Sequence, residues 1–105
     1  MLPPSLMAGK AARLGRVRRQ IDRLDERLLR LISRRARLAL VIGRIKRQKK
    51  WPVYDARREA FVLRHVASVN AGPLSLYSVR KVFKTILTQC RRRERDGKRR
   101  KSSRQ

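Results

Sequence analysis

The chain has 105 residues, with 31 Lys and Arg against 7 Asp and Glu, which gives a formal net charge of +24. This length allows one small domain at most, and an aromatic content of 5% leaves little bulk to fill an isolated core. The single cysteine, Cys90, excludes an internal disulfide framework, and the single histidine, His65, excludes the paired spacings of zinc sites. We therefore expect no structural metal.

The apolar segments are too short for a membrane protein. The longest uninterrupted run covers residues 38–42, far below the roughly 20 residues that a membrane-spanning helix requires. The first 16 residues contain no continuous apolar segment of the kind found in secretory signals. We therefore expect a cytoplasmic protein.

The first predicted element is one very long helix over about residues 11–49, preceded by a flexible segment over residues 1–13. Apolar residues recur at steps of three and four, as in a coiled coil, and Gly43 costs the helix only about 1 kcal/mol. At about 1.5 Å per residue the helix is about 58 Å long, whereas a compact chain of this length has a radius of gyration of about 13 Å. It cannot cover its own apolar face, so we predict a dimer or higher oligomer. This face, called the seam below, consists of Leu14, Val17, Ile21, Leu24, Leu28, Leu31, Leu38, Ile42 and Ile45.

Two shorter helices are predicted after the first. Trp51-Pro52 ends the long helix, and Asp55 suits the N-cap of a second helix over roughly residues 56–69. Residues 70–73 are typical of a helix stop, and a third helix follows from near Ser75 to about residue 96. Residues 97–105 form a predicted disordered basic tail. The expected fold class is all-α with three helices.

Two basic residues interrupt the pattern of the long helix. Continuing the seam past Leu31 leads to Arg35, and a guanidinium in an apolar stripe needs an anionic partner or a wet cavity. The alternative is an arginine that extends outward or pairs across the interface. Lys46 lies on the same face, about 16 Å further along. The two side chains could converge on one small anion, although a solvated surface lysine is the alternative for Lys46.

Acidic residues stand out because the chain has so few. Asp22, Asp25 and Glu26 are explained by pairing within the first helix and by their N-terminal position. Capping explains Asp55 but not Glu59. Glu94 stands alone among arginines, one helical turn after Cys90. It is either a functional residue or a residue that only relieves local positive charge.

Several fragments, in the same order and at the same spacing, resemble the all-helical class of chorismate mutases. The similarity covers about residues 14–95, so we expect a chorismate mutase-like domain over residues 14–96. It implies the rearrangement of chorismate to prephenate in an intertwined homodimer. The rearrangement is intramolecular and requires no metal or redox cofactor. The fragments are VRRQIDRLD (17–25), Arg35, IGRIK (42–46), PVYDARRE (52–59), NAGPL (70–74) and VFKTIL (82–87).

The resemblance also implies a set of substrate contacts. Arg18 and Arg35 would clamp the two carboxylates, since bidentate geometry favours arginine. These two residues are 17 positions apart on one helix, or about 25 Å, so Arg18 has to come from the second chain. The positions that match the family's substrate contacts are Arg18, Arg35, Lys46, Asp55, Arg58, Glu59, Cys90 and Glu94.

The implied catalytic residues are Lys46, Glu94 and Arg35. Lys46 and a protonated Glu94 would donate to the ether oxygen, where the transition state is more negative than the ground state. An ionised Glu94 would repel that charge, so we expect activity to fall as Glu94 deprotonates.

The remaining contacts would bind the substrate. Arg58 would add positive potential, and Glu59, assisted by the Asp55 turn, would accept from the ring hydroxyl. Cys90 stands where the family commonly has serine, and a thiol is the poorer donor, so we expect reduced substrate affinity.

Two other functions remain open at this stage. One is an isochorismate pyruvate lyase, a related helical activity that uses a similar anion-binding cavity, although the turn from Asp55 to Glu59 favours a mutase. The other is a non-enzymatic basic helical module that binds nucleic acid through phosphates, or polyanions in general through the basic tail.

Overall fold

The computed structural model describes the backbone of residues 4–103 and the side chains of residues 7–96. It contains three helices, α1 (Pro4–Lys49), α2 (Ala56–Val69) and α3 (Leu76–Ser103). The prediction of an all-α fold with a very long first helix is therefore confirmed. In this part of the chain, no helix is both long enough and apolar enough to cross a bilayer. The chain divides into two units, residues 1–33 and residues 34–105.

Helix α1 begins at Pro4, earlier than the start predicted near residue 11. The difference arises because proline is tolerated in the first turn of a helix, where its missing N–H has no intrahelical partner. Residues 5–13 contain no β-branched side chain and include three alanines, and alanine is the strongest helix former. Residues 4–13, assigned above to a flexible segment, thus belong to α1.

The end of α1 is a Schellman motif centred on Lys50. This residue has a φ of 58°, in the left-handed region that usually favours glycine. The Lys50 N–H donates to the Arg47 carbonyl at 3.2 Å, and the Trp51 N–H donates to the Lys46 carbonyl at 2.8 Å. These bonds satisfy carbonyls of the last turn, and Pro52 then prevents the helix from continuing.

Helix α2 begins at the predicted Asp55 cap, and α3 begins next to Ser75, near its predicted start. Asp55 has extended backbone, and its Oδ1 accepts from the Arg58 N–H at 3.0 Å. Ser75 Oγ accepts from the Ser78 N–H at 3.1 Å in the same way. Helix α3 runs to Ser103 rather than ending near residue 96, since a single glycine at position 97 costs a helix only about 1 kcal/mol. The side chains of the predicted basic tail, residues 97–105, lie outside the described residues.

Among residues 7–96, the buried side chains all belong to the second unit. They come from all three helices and are Ala39, Val62, Val79, Leu87 and Cys90.

The seam of α1 is exposed. Leu28 is 54% exposed, and Leu31 and Leu38 are each 61% exposed. Contiguous apolar surface of this kind marks an interaction site in a folded protein.

Candidate active site

Helices α1 and α3 touch at Gly43. A Cβ at this position would lie 2.5 Å from the Glu94 carbonyl oxygen and 2.8 Å from the Glu94 Cα. Both distances are far below van der Waals contact, and both involve backbone that cannot swing aside. Gly43, treated above only as a tolerable cost to α1, is therefore required for the close approach that places Glu94 beside α1.

This approach brings two predicted site residues together. Lys46 Nζ lies 2.7 Å from Glu94 Oε1, and both side chains are only 14% exposed. Lys46 also donates to the Val53 carbonyl at 2.6 Å, in the loop between α1 and α2. The ammonium is thus held by one hydrogen bond and one electrostatic contact, and it retains N–H groups that can donate to a ligand.

The buried oxygen of Glu94 has no aligned hydrogen-bond donor. Glu94 Oε1 is enclosed, yet no described group donates to it with acceptable geometry, although the Lys46 ammonium is close. The electrostatic contact is present while the hydrogen bond is not. The Glu94 backbone is held separately, since Arg47 Nη1 donates to its carbonyl at 3.0 Å. An enclosed polar atom without a donor is unusual and occurs at sites of function.

A second charged cluster joins α2 to α3. Glu59 Oε2 accepts from Arg91 Nη1 at 2.5 Å, and the two side chains are 23% and 24% exposed. The Arg91 guanidinium also lies 4.9 Å from the centre of the Tyr54 ring, within range of a cation–π contact. Glu59, which capping does not explain, is therefore anchored by Arg91.

An open pocket of about 670 Å³ adjoins this cluster between α2 and α3. Glu59 and Arg91 line it together with Lys84, Arg95 and Tyr54. Three of these side chains are cationic and one is anionic, so the pocket favours an anionic guest. Among the predicted site residues, only Glu59 lines this pocket.

The other predicted contacts are spread over the two units. Asp55 caps α2, and the exposed Arg58 guanidinium lies 5.3 Å from the Phe61 ring centre. Cys90 is 5% exposed and belongs to the core. Arg35 is half-buried on α1 and makes no ion pair with any described carboxylate. Arg18 is exposed on the first unit.

Sequence reasoning missed three residues of these clusters, Arg47, Tyr54 and Arg91. A signal existed for Arg91, because it lies four residues after Leu87, on the helix face that carries the apolar residues of α3. Like Arg35 on the seam, an arginine on an apolar helix face needs an anionic partner or a wet cavity. Tyr54 and Arg47 carried no such signal, since their contacts depend on the packing of separate helices.

The helices and the two charged clusters define an all-α domain in which a partly buried ion pair joins the first helix to the last. The sequence model of the chorismate mutase type II family matches residues 17–95. The bifunctional chorismate mutase/prephenate dehydratase of Pseudomonas aeruginosa is 44% identical over 79 residues, which cover 70% of this chain and 22% of the relative. The protein of the same name from Stutzerimonas stutzeri is 40% identical over 87 residues, 77% of this chain and 24% of the relative.

A solved structure gives the same result. Chorismate mutase (Form II) from Thermus thermophilus superposes with a TM-score of 0.78 at 35% identity, covering 79% of this chain and 94% of that one. The chain belongs to the type II chorismate mutase family. It spans about a quarter of the length of the two bifunctional relatives.

Proposed function

We propose that this chain is a chorismate mutase, an isomerase that rearranges chorismate to prephenate within a homodimer. Membership of the family supports the activity, and the juxtaposition of Lys46 and Glu94 carries the proposal. In this reaction one carbon–oxygen bond breaks as one carbon–carbon bond forms within a single molecule. Catalysis then depends on holding the reactive conformer and on stabilising charge at the ether oxygen.

Lys46 and Glu94 are the groups that act on the ether oxygen in this proposal. The Lys46 ammonium is fixed by the Val53 carbonyl and lies beside a Glu94 oxygen that lacks an aligned donor. The Glu94 carboxylate is paired with Lys46 in the structure; in this proposal its carboxyl carries a proton in the substrate complex and donates to the ether oxygen together with Lys46. Since negative charge grows on that oxygen, both contacts are stronger in the transition state than in the ground state. Loss of one such donor costs about 10²–10³ in kcat.

The substrate's two carboxylates are assigned to Arg35 and to Arg18 of the partner subunit. Arg35 is half-buried and has no ion-pair partner among the described carboxylates, so its guanidinium is available to a bidentate anion. Arg58 adds positive potential from the first turn of α2. The large net charge of +24 also favours capture of a dianion by electrostatic steering.

Glu59 is assigned to the ring hydroxyl. Its carboxylate is anchored by Arg91 through one oxygen, and a carboxylate has further lone pairs with which to accept from a hydroxyl. The cap made by Asp55 fixes the turn that carries Glu59. Cys90 lies in the core, and its thiol donates more weakly than the serine hydroxyl common in the family.

The homodimer is proposed because the seam is exposed. Leu24, Leu28 and Leu31 are 56%, 54% and 61% exposed on the first unit. Fully burying a leucine side chain contributes about 1.5–3 kcal/mol, and a second copy of the same helix offers a matching stripe.

The proposal is tested by following chorismate in the ultraviolet and identifying the product by mass spectrometry. Prephenate is the expected product. Lys46→Ala should lower kcat at least about 100-fold, while Lys49→Ala, which removes an exposed lysine from the same helix, should leave it unchanged. Pyruvate as the product would instead show a lyase, and absence of turnover would overturn the proposal.

A further inference from the structure

Five arginines form a row along α1 within the first unit. Arg16, Arg19, Arg23, Arg27 and Arg30 follow each other at steps of three and four residues. At about 100° per residue they fall within about 80° of the helix circumference and span about 21 Å. All five side chains are exposed. We call them the arginine row.

No carboxylate among the described side chains pairs with the arginine row. Glu26 is the nearest carboxylate by helical position, one turn from Arg23 and from Arg30. It forms no ion pair with either, because the three ion pairs among the described side chains all lie in the second unit. Five positive charges thus follow one line on the helix surface, and the proposed chemistry of the active site uses none of them.

The position of the arginine row separates it from the seam. The centre of the row lies about 130° around the helix from the centre of the seam between Leu14 and Leu31. A second copy packed on the seam therefore leaves these arginines facing solvent. Formation of the proposed dimer through the seam thus leaves the arginine row available to bind another molecule.

We propose that the arginine row binds the phosphate backbone of double-helical nucleic acid. A duplex carries one phosphate per about 3.4 Å of its axis on each strand, so the row runs past about six base pairs of a duplex. Every cation of the row is an arginine, whose planar fork matches phosphate bidentately. Such contacts are made without reading bases.

Other polyanionic surfaces fit the row less well. Single-stranded nucleic acid is bound with the help of stacked aromatic rings, and the sequence contains no aromatic residue before Trp51. A membrane-bound helix lays its apolar face on the lipid and keeps Trp or Phe there as anchors. With the seam on a bilayer, the arginine row would point away from the headgroups.

The test measures binding of the full chain to a fluorescent duplex of about 20 base pairs, by anisotropy over a series of salt concentrations. Five phosphate contacts predict that log Kobs falls with log[salt] at a slope of about −4.5 from the row alone. Arg→Gln at all five positions should make the slope shallower by about that amount, because glutamine keeps the helix while removing the charge. The triple variant R19Q/R23Q/R27Q should make it shallower by about 2.7.

The matched control removes five charges that do not share a line. It should retain most of the slope, which separates the row from the general effect of net charge. Circular dichroism checks that each variant keeps its helix content. The control substitutes glutamine for five exposed residues, Arg44, Arg57, Arg64, Arg80 and Lys81.

Three results would overturn the proposal. The first is an equal loss of slope in the control and the row variant. The second is binding that disappears on deletion of residues 97–105 but survives in the row variant, which would place the contact in the basic tail. The third is row-dependent binding to vesicles containing phosphatidylserine without row-dependent binding to the duplex.

Discussion

Gly43→Ala tests whether the contact between α1 and α3 sets the geometry of the active site. The added Cβ would lie 2.5 Å from the Glu94 carbonyl oxygen, whereas ordinary contact begins at 3.4 Å. The two helices must therefore separate locally by about 1 Å. That displacement acts directly on the 2.7 Å contact between Lys46 and Glu94.

The two effects of this substitution on stability oppose each other. Overpacking typically costs about 1–3 kcal/mol, while replacing glycine by alanine inside a helix stabilises it by about 1 kcal/mol. The net expectation is a loss of up to about 2 kcal/mol, or a fall in Tm of up to about 16 °C for a domain of this size. A misplacement of about 1 Å costs about 100-fold in rate, so kcat/KM for chorismate should fall about that much.

Gly15→Ala provides the matched control. Gly15 lies on the same helix, and a Cβ there would meet only Arg19 Nη1 at 3.5 Å, an ordinary contact with a flexible side chain. This variant should gain about 1 kcal/mol of stability and keep full activity. Thermal unfolding by circular dichroism and the ultraviolet assay measure both quantities. If Gly43→Ala were as active and as stable as Gly15→Ala, the close approach would have no role in the site.

Three further substitutions address the proposed chemistry and assembly. Glu94→Ala removes a proposed donor to the ether oxygen and should lower kcat about 100-fold or more; a variant as active as the native chain would contradict this role. Arg91→Gln frees Glu59 and should raise KM several-fold with a smaller effect on kcat, whereas an unchanged KM would show that Glu59 needs no anchor. Leu28→Glu places charge in the seam and should shift the chain toward monomer in light scattering, with loss of activity; an active monomer would exclude a shared site.

The helix ends that depend on hydrogen bonds within one turn could be predicted from the sequence. The Asp55 cap and the Ser75 start depend on bonds within one turn, and α2 accordingly begins and ends at the predicted residues. The predicted outer ends of α1 and α3 were wrong, because a proline in the first turn and a lone glycine at position 97 do not end these helices.

The contacts within the candidate site could not be predicted from the sequence as well as the helix ends could. Lys46 and Glu94 were named through resemblance, but their direct contact depends on the packing of α1 against α3 at Gly43. The Arg91–Glu59 pair joins residues 32 positions apart, and no local pattern connects them. The sequence pattern shows which charged residues stand at positions expected to be apolar. Which of these residues contact each other depends on how the helices pack.

The most direct test of the proposed function is chorismate turnover by the native chain and by Arg35→Ala at moderate salt. An arginine that binds a carboxylate contributes about 1.5–3 kcal/mol through charged hydrogen bonds. The native chain should form prephenate, and Arg35→Ala should lower kcat/KM about 10- to 150-fold. A native chain that forms no prephenate, or an Arg35→Ala variant as active as the native chain, would contradict the assignment.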